Sequence, residues 1–289
     1  MKHILVTGAD GFIGKALVKR LKQESYVVFE FDTVIGDITN NKSLDIYSEK
    51  KIDHVFHLAA RSFVPDSWNN PFDFYQTNVL GTTNVLEFCR ANKCKHTMIS
   101  SYVYGSPDYL PIDENHPIKP YNPYCHSKAL SESICNFYST NFNVESTIIR
   151  PFNVYGPGQS ELFLIPEIIK KAFNDEIIEV MDLLPKRDYI YIDDLVDALI
   201  LTMNTTGGIY NIGSGYSISV EEIVETIIKI SKIDKSYNSN QISRKNEIFD
   251  VIANIEKAKM ELNWRPKTDI NNGISDCISF FLAKINNRV

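Results

Sequence analysis

Thr7-Gly8-Ala9-Asp10-Gly11-Phe12-Ile13-Gly14 follows a short apolar run, His3–Val6, and leads into an amphipathic stretch that ends near Gln23. Three glycines between a strand and a helix have separate uses. Gly8 permits the tight turn, Gly11 lets backbone approach a pyrophosphate, and Gly14 lets helix and strand pack closely. The free N–H groups and positive end of the helix then hold the anion. A second element supports this reading. Phe31-Asp32 ends the next strand-like run, and Asp32 lies 18 residues beyond Gly14. A carboxylate there accepts hydrogen bonds from a ribose 2′-hydroxyl and repels a 2′-phosphate. No Arg or Lys stands between Tyr26 and Asn41, so the pattern favours NAD over NADP.

Outward from this stretch, short β-branched runs alternate with amphipathic ones. Strands are expected at His3–Thr7, Val27–Asp32, His54–Leu58, His96–Ser101 and Glu145–Arg150. Helices are expected at Phe12–Gln23, Leu44–Lys50, Pro71–Ala91 and Tyr124–Thr140. This alternation predicts an α/β fold, a doubly wound (Rossmann) parallel sheet with helices on both faces. Breakers at Arg150-Pro151 and Gly156-Pro157-Gly158 mark a change of pattern. The expected division is therefore a dinucleotide-binding domain over 1–152 and a smaller mixed α/β substrate domain over 153–289, with segments near 182–212 returning to the first. In the second part, helices are expected at Ile165–Phe173, Asp193–Met203, Val220–Ile230, Ile255–Leu262 and Ile270–Ile285. Strands are expected at Ile177–Met181, Asp188–Ile192 and Gly208–Ile212, and the polar stretch Asp234–Gln241 reads as a surface loop.

Composition narrows the partners. The 289 residues carry 30 Lys plus Arg against 36 Asp plus Glu, a net charge of −6. A nucleic-acid or anionic-membrane surface needs a basic excess, so neither is expected. No apolar run approaches the ~18 residues of a membrane span, and the glycine-rich N-terminus is not the pattern of a signal peptide. Five cysteines (Cys89, Cys94, Cys125, Cys135, Cys277), an odd number without CxxC or nearby His spacing, speak against a disulfide framework or a metal site. A reduced, cytoplasmic protein is the expectation.

Tyr124-Cys125-His126-Ser127-Lys128 places Tyr124 and Lys128 at i and i+4, on one helix face. An ammonium beside a phenol favours the phenolate, which a tyrosine general base requires. Ser100, at the end of the preceding strand, adds a hydroxyl at the sheet's carboxyl edge, where cofactors lie. If that strand is bulged, Ser101 takes its place. His57 reads as a satisfied core histidine, and His126 is given no role. The Pro71–Ala91 helix carries two apolar files, Phe72-Tyr75-Val79-Thr82-Leu86-Cys89 and Phe74-Asn78-Gly81-Val85-Phe88. They fit either a core helix or one face meeting a partner helix across a two-fold axis.

Eight blocks occur in order: TGADGFIG (7–14), GDI (36–38), HLAA (57–60), NVLGTTN (78–84), SSYVYG (100–105), YCHSK (124–128), RPFNVYGPGQ (150–159) and RDYIYIDD (187–194). Over essentially the whole chain they resemble the extended short-chain dehydrogenase/reductase family, in particular its nucleotide-sugar epimerases, dehydratases and reductases. The resemblance implies that Gly8, Gly11, Phe12, Ile13 and Gly14 bind the NAD pyrophosphate and Asp32 the ribose. It places Asp37 and Ile38 beside the adenine. Leu58, Ala59 and Ala60 would line the cofactor, with Asn78 near it and Pro151 and Phe152 flanking the nicotinamide. Tyr124 would be the base, Lys128 would hold the nicotinamide ribose, and Ser100 would bridge the sugar hydroxyl, with Ser101 beside it. Asn153, Arg187 and, as a looser match, Arg244 would meet the sugar diphosphate, and Ser62–Trp68 would shape the sugar pocket. The family also implies a homodimer through the 71–91 and 124–140 helices.

The implied chemistry is oxidation at sugar C4 to a 4-keto sugar. Return of hydride to the other face gives a 4-epimerase. Elimination of water gives a 4,6-dehydratase, and one-way reduction of a 4-keto sugar gives a ketoreductase. The dehydratases of the family follow the Ser/Thr position with an Asp-Glu pair, whereas Ser101 and Tyr102 stand here. The expected reaction is therefore 4-epimerisation of a UDP-glucose/galactose-type substrate with NAD. A 4-ketoreductase is the alternative, and a non-catalytic NAD-binding sensor is disfavoured by the intact Ser, Tyr and Lys. Leu162–Pro166 and Val180–Pro185, which would touch the base, carry no pattern that identifies the nucleotide.

Overall fold

A computed structural model describes residues 1–241 and 248–286. In chain order the elements are β1 (His3–Thr7), α1 (Phe12–Gln23), β2 (Val27–Phe31), β3 (His54–His57), α2 (Val64–Asn69), α3 (Pro71–Phe74), α4 (Gly81–Asn92), β4 (Lys95–Ile99) and α5 (Pro123–Phe142). There follow β5 (Ser146–Pro151), β6 (Asn153–Tyr155), α6 (Leu164–Asn174), β7 (Ile177–Val180), β8 (Lys186–Arg187), β9 (Tyr189–Tyr191), α7 (Ile192–Leu201) and β10 (Gly208–Ile212). The last are β11 (Ile218–Ser219), α8 (Val220–Ser231), β12 (Ser236–Ser239), α9 (Glu256–Glu261) and α10 (Ile270–Asn286). Six strands form one parallel sheet in the order β10-β5-β4-β3-β1-β2, the Rossmann-type α/β architecture that the alternation predicts.

Strand side chains alternate between faces, and the core follows that alternation. Ile4, Val6 and Phe56 join one cluster with Leu17 of α1 and Leu195 and Leu199 of α7. Leu5 and Val55 point the other way, into a cluster with Leu86 of α4, Met98, Ile148 and Cys135 of α5. Each such side chain contributes on the order of 1.5–3 kcal/mol by leaving water. β10, from the second half of the chain, pairs with β5 from residue 208 to 212. The rest of that half forms β7 with β12, β6 with β9, β8 with β11, and the helices around them.

Three sequence expectations need correction. Asp234–Gln241 is not wholly a loop, because Ser236–Ser239 pairs in parallel with Ile177–Val180. Its side chains are polar because they line a small, half-exposed sheet. The expected helix over 44–50 is a 3-10 helix over Asp45–Lys50. The Pro71–Ala91 helix is interrupted by a π-helical segment, Tyr75–Leu80. A π turn holds more residues than an α turn, so the two apolar files slip out of register. Members of both files, Thr82, Leu86 and Cys89 with Phe74, Val85 and Phe88, are buried in the subunit's own core. Phe72, which heads the first file, and Leu80, which belongs to neither, are exposed.

Buried histidines stand in the sheet. His57 accepts or donates to Thr7 Oγ1 at 2.8 Å and Thr82 Oγ1 at 3.1 Å, as a satisfied core histidine should. His54 bonds Thr97 and His96 bonds Ser146, each at 2.8 Å. Burial holds all three neutral, with His54 and His57 well below the ordinary histidine value and His96 at about 3. At His96 the unfolded chain binds a proton near 6.5 that the folded chain refuses until close to about 3. Stability is therefore full above 6.5 and falls as pH falls. Between pH 7 and 5 His96 should remove about 2 kcal/mol, and His54 and His57 act in the same direction. Urea unfolding midpoints that coincide at the two pH values would contradict this.

Candidate active site

The site is built on the carboxyl edge of the sheet, beginning with the glycine turn. Gly8 sits at φ +71°, and a Cβ there would lie 2.6 Å from Ala59 N. A Cβ on Gly14 would lie 2.0 Å from Gly8 O. No side chain fits in either place, so these glycines are demanded by the packing of β1, α1 and the loop after β3. Gly8 N donates to Phe31 O at 2.8 Å and Gly11 N to Gly8 O at 3.1 Å. Phe12, Ile13 and Gly14 open α1, where the first amides have no partner within the helix. Asp32 follows β2, and its carboxylate accepts from Asp10 N at 2.9 Å and Thr33 N at 2.7 Å. The aligned amides, the side-chain-free turn and the fixed carboxylate fit a dinucleotide with a free ribose 2′-hydroxyl.

The neighbouring segments frame the same edge. Asp37 caps its own turn by accepting from Thr39 N at 2.9 Å, and Ile38 is buried with its carbonyl accepting from Asn84 Nδ2 at 2.9 Å. Leu58, Ala59 and Ala60 are half-buried, with Leu58 N on Thr7 O and Ala59 N on Thr7 Oγ1. Asn78, in the π-helical segment, has its amide occupied by protein. Its Oδ1 accepts from Arg61 N at 2.9 Å, and its Nδ2 donates to Arg61 O at 3.1 Å and Ser127 Oγ at 2.8 Å. It thus ties the loop after Ala60 to α5 rather than presenting a free polar group. Its carbonyl takes two hydroxyls, Thr82 and Ser131.

α5 starts at Asn122, whose side chain accepts from Cys125 N at 2.8 Å, with Pro123 in the first turn. That cap fixes the turn carrying Tyr124, whose ring meets Phe74 edge-on at 6.3 Å. Lys128 is buried at 3% exposure, and burial brings its ammonium down to about 8, against the opposing pull of Cys135 and Glu132. The expected depression of the Tyr124 phenol is not seen. Burial raises it, Cys125 adds to the rise, and Ser101 alone works the other way.

The serine expectation also shifts. Ser100 continues the ladder, its N donating to Ile149 O at 2.7 Å, and its hydroxyl donates to Glu132 Oε1. Ser101 is the serine beside Tyr124. Its Oγ is buried, has no hydrogen-bond partner among the described residues, and favours the ionised forms of the Tyr124 phenol and the Cys125 thiol. Ser100 is thus tied to Glu132 within the protein, while Ser101, one residue on, faces Tyr124.

At the carboxyl end of β5, Pro151 closes the strand, and Phe152 packs edge-on against Tyr102 at 5.5 Å. Tyr102 is held by its hydroxyl on Gly105 O at 2.6 Å. Asn153 Nδ2 donates to Asp188 O at 3.1 Å, and Arg187 Nη1 donates to Ile248 O at 2.5 Å. Arg187 also lies near enough to Tyr102 to favour its ionised form. Arg244 lies outside the described residues. Phe63, at the start of the Ser62–Trp68 stretch, meets Phe163 edge-on at 6.3 Å, across from one half of the chain to the other.

Sequence reading missed the groups that hold this arrangement. Asp188 is fully buried and accepts from Ser214 N, Ser214 Oγ, Gly215 N and Ala253 N at 2.6–3.0 Å, clipping three separate segments together. Glu132 and Arg150 form a buried pair at 2.6 Å. Its signal was the spacing Tyr124, Lys128, Glu132, one helix face with a carboxylate too deep for solvent. Among the described residues no cluster of His, Cys, Asp and Glu could hold a metal ion, and no helix is long and apolar enough to cross a membrane.

Residues 4–213 match the NAD dependent epimerase/dehydratase family, and the chain belongs to that family of NAD-dependent nucleotide-sugar enzymes. It is 34% identical to a putative UDP-glucose 4-epimerase of Methanocaldococcus jannaschii over 99% of either chain. It is 30% identical to a dTDP-4-dehydro-6-deoxyglucose reductase of Escherichia coli over 97% of this chain and 98% of that one. Its structure resembles that of a UDP-glucose 4-epimerase of Thermotoga maritima solved with UDP-glucose, with a TM-score of 0.91, 26% identity, and coverage of 98% of this chain and 99% of that one.

Proposed function

We propose that the protein is a nucleotide-sugar 4-epimerase acting on a UDP-glucose/galactose-type substrate through a transient 4-keto sugar. The observation that carries this reading is the orphaned Ser101 hydroxyl beside the Tyr124 phenol, on the helix that buries Lys128 and next to the glycine cradle. Gly8, Gly11, Phe12, Ile13, Gly14 and Asp32 would hold NAD, which would supply the hydride acceptor. Tyr124 takes the proton from the sugar C4 hydroxyl, and Ser101 Oγ hydrogen-bonds that same oxygen. Burial raises the phenol's pKa, so a cation must stand beside it before it can act as base. Lys128 is the protein's own source, one turn along the helix. Asn153 and Arg187 meet the diphosphate, for which a guanidinium fork is suited, and Arg244 is assigned there by its place in the sequence.

Ser101-Tyr102 in place of an acidic pair disfavours elimination of water. A 4-ketoreductase is the second reading, supported by the reductase relative, while Asp32 favours NAD and hence the epimerase. Incubation with a panel of nucleotide sugars separates them. A product of unchanged mass supports the epimerase, and a gain of two hydrogens with NADPH consumed supports the reductase. Loss of one water means a dehydratase and overturns both.

Asp32→Ala should weaken NAD by about tenfold, the worth of one charge-assisted hydrogen bond, and narrow the gap to NADP. Titration of both dinucleotides checks this, and an unchanged preference removes Asp32 as the reader.

The second copy of a homodimer would cover α4 and α5. Phe72, Leu80, Leu130 and Phe137 leave apolar surface on these helices and the turns before them, with Phe72 72% and Phe137 57% exposed. Phe137→Asp should convert a dimer to a monomer in light scattering after size exclusion. A dimer that survives it would move the interface elsewhere.

A further inference from the structure

Glu132 stands one helical turn beyond Lys128, and its carboxylate is among the most completely bonded groups in the molecule. Arg150 Nε reaches its two oxygens at 3.0 and 3.2 Å, Arg150 Nη2 reaches Oε2 at 2.6 Å, and Ser100 Oγ donates to Oε1. Arg150 is fixed in turn. Its Nη1 donates to Tyr104 Oη at 2.8 Å, and its guanidinium lies 5.0 Å over the Tyr104 ring. Tyr104 Oη donates to Asn211 Oδ1 at 2.5 Å, which ties the chain to β10. A buried carboxylate with this many partners cannot turn, so whatever it holds is held rigidly.

We propose that Glu132 is a positioning residue for the reaction. Through Ser100 it fixes the end of β4 so that the Ser101 hydroxyl lies on Tyr124, and it supplies the negative charge that the buried Lys128 ammonium faces. This rests on the reaction reading above and deepens it. The groups facing Lys128 are Glu132 and Cys135 on its own helix, His57 on β3 and His96 on β4. Both histidines and the thiol are held neutral by burial, which leaves Glu132 as the anion among them. Arg150 lies behind that carboxylate.

The test measures full-length variants for melting temperature, NAD affinity without sugar, and turnover from about pH 6 to about 10. Glu132→Gln should move the alkaline limbs of both NAD binding and kcat acidward by about one unit, the lower end of the effect of a nearby opposite charge. Ser100→Ala should lower kcat about tenfold while KM and the alkaline limb stay at wild-type values. Glu132→Asp, which keeps the charge but draws it back from Ser100, should lose kcat similarly and keep the wild-type limb. Where Glu132→Gln does not fold, Glu132→Gln/Arg150→Leu replaces it with the same expected shift, since no charge is then left unmatched. Unmoved limbs in the folded variant overturn the electrostatic part. Wild-type kcat in Ser100→Ala overturns the tether. If the wild-type protein turns over no nucleotide sugar, the reaction reading falls alone, and the sugar-free NAD limb still decides the part played by Glu132.

Discussion

Tyr124→Phe should lower turnover by about 10²–10⁴, the range attached to a positioned acid or base, and leave NAD binding within a factor of two. The substitution removes only the phenolic oxygen, so the ring keeps its edge contact with Phe74 and the packing of α5 is undisturbed. The pocket gains an unmatched Ser101 hydroxyl, but that hydroxyl already lacks a partner in the protein. The measurement is product formation from the accepted nucleotide sugar, with bound dinucleotide quantified in the same sample. Turnover near the wild-type rate would remove Tyr124 as the base. Loss of NAD together with turnover would place the tyrosine in cofactor binding instead.

Arg150→Leu should be the most damaging single change to stability, costing about 3–5 kcal/mol. Arg150 and Glu132 are 2% and 3% exposed. Burial by itself disfavours the Arg150 cation, but the Glu132 carboxylate outweighs that and holds it charged. Removing the cation strands a carboxylate in the core with only Ser100 to satisfy it. For a chain of this size the loss corresponds to a fall in Tm of roughly 10 °C. Changing both residues to leucine should recover much of the loss, because no charge is then buried alone. A single variant that melts within a degree or two of wild type would show that the pair is solvated, contrary to its geometry.

The fold was legible because its signals are local. A strand, a glycine turn and a helix lie within residues 3–23, and Gly8 and Gly14 each answer to a contact that a Cβ would break. Tyr124 and Lys128 share a helix face by spacing alone. What stayed hidden depended on distances the sequence does not carry. Where the Ser100 and Ser101 hydroxyls go depends on distant partners, and that of Ser100, Glu132, comes 32 residues later. The Tyr124 phenol was expected to be lowered by a neighbouring ammonium, but burial, which no spacing reports, raises it, and only Ser101 works the other way. The π turn at Tyr75–Leu80 kept an α-like pattern while changing which residues face out. The polar strand Ser236–Ser239 pairs through its backbone, so its side chains gave no alternation of apolar and polar to read. Asp188 was visible inside a motif, yet its four donors come from the chain around residues 214 and 253.

The pairing of β10 with β5 has a consequence during synthesis. A nascent chain that has emerged through Pro151 can assemble five strands and the glycine turn, but β5 then presents an open hydrogen-bonding edge. The strand that covers it emerges only at residues 208–212, and until then the edge is a template for pairing with another chain. At translation rates of about 5–20 residues per second, that interval lasts several seconds. Ribosome-stalled fragments ending before residue 208 should therefore aggregate, and those extending well past 212 should not.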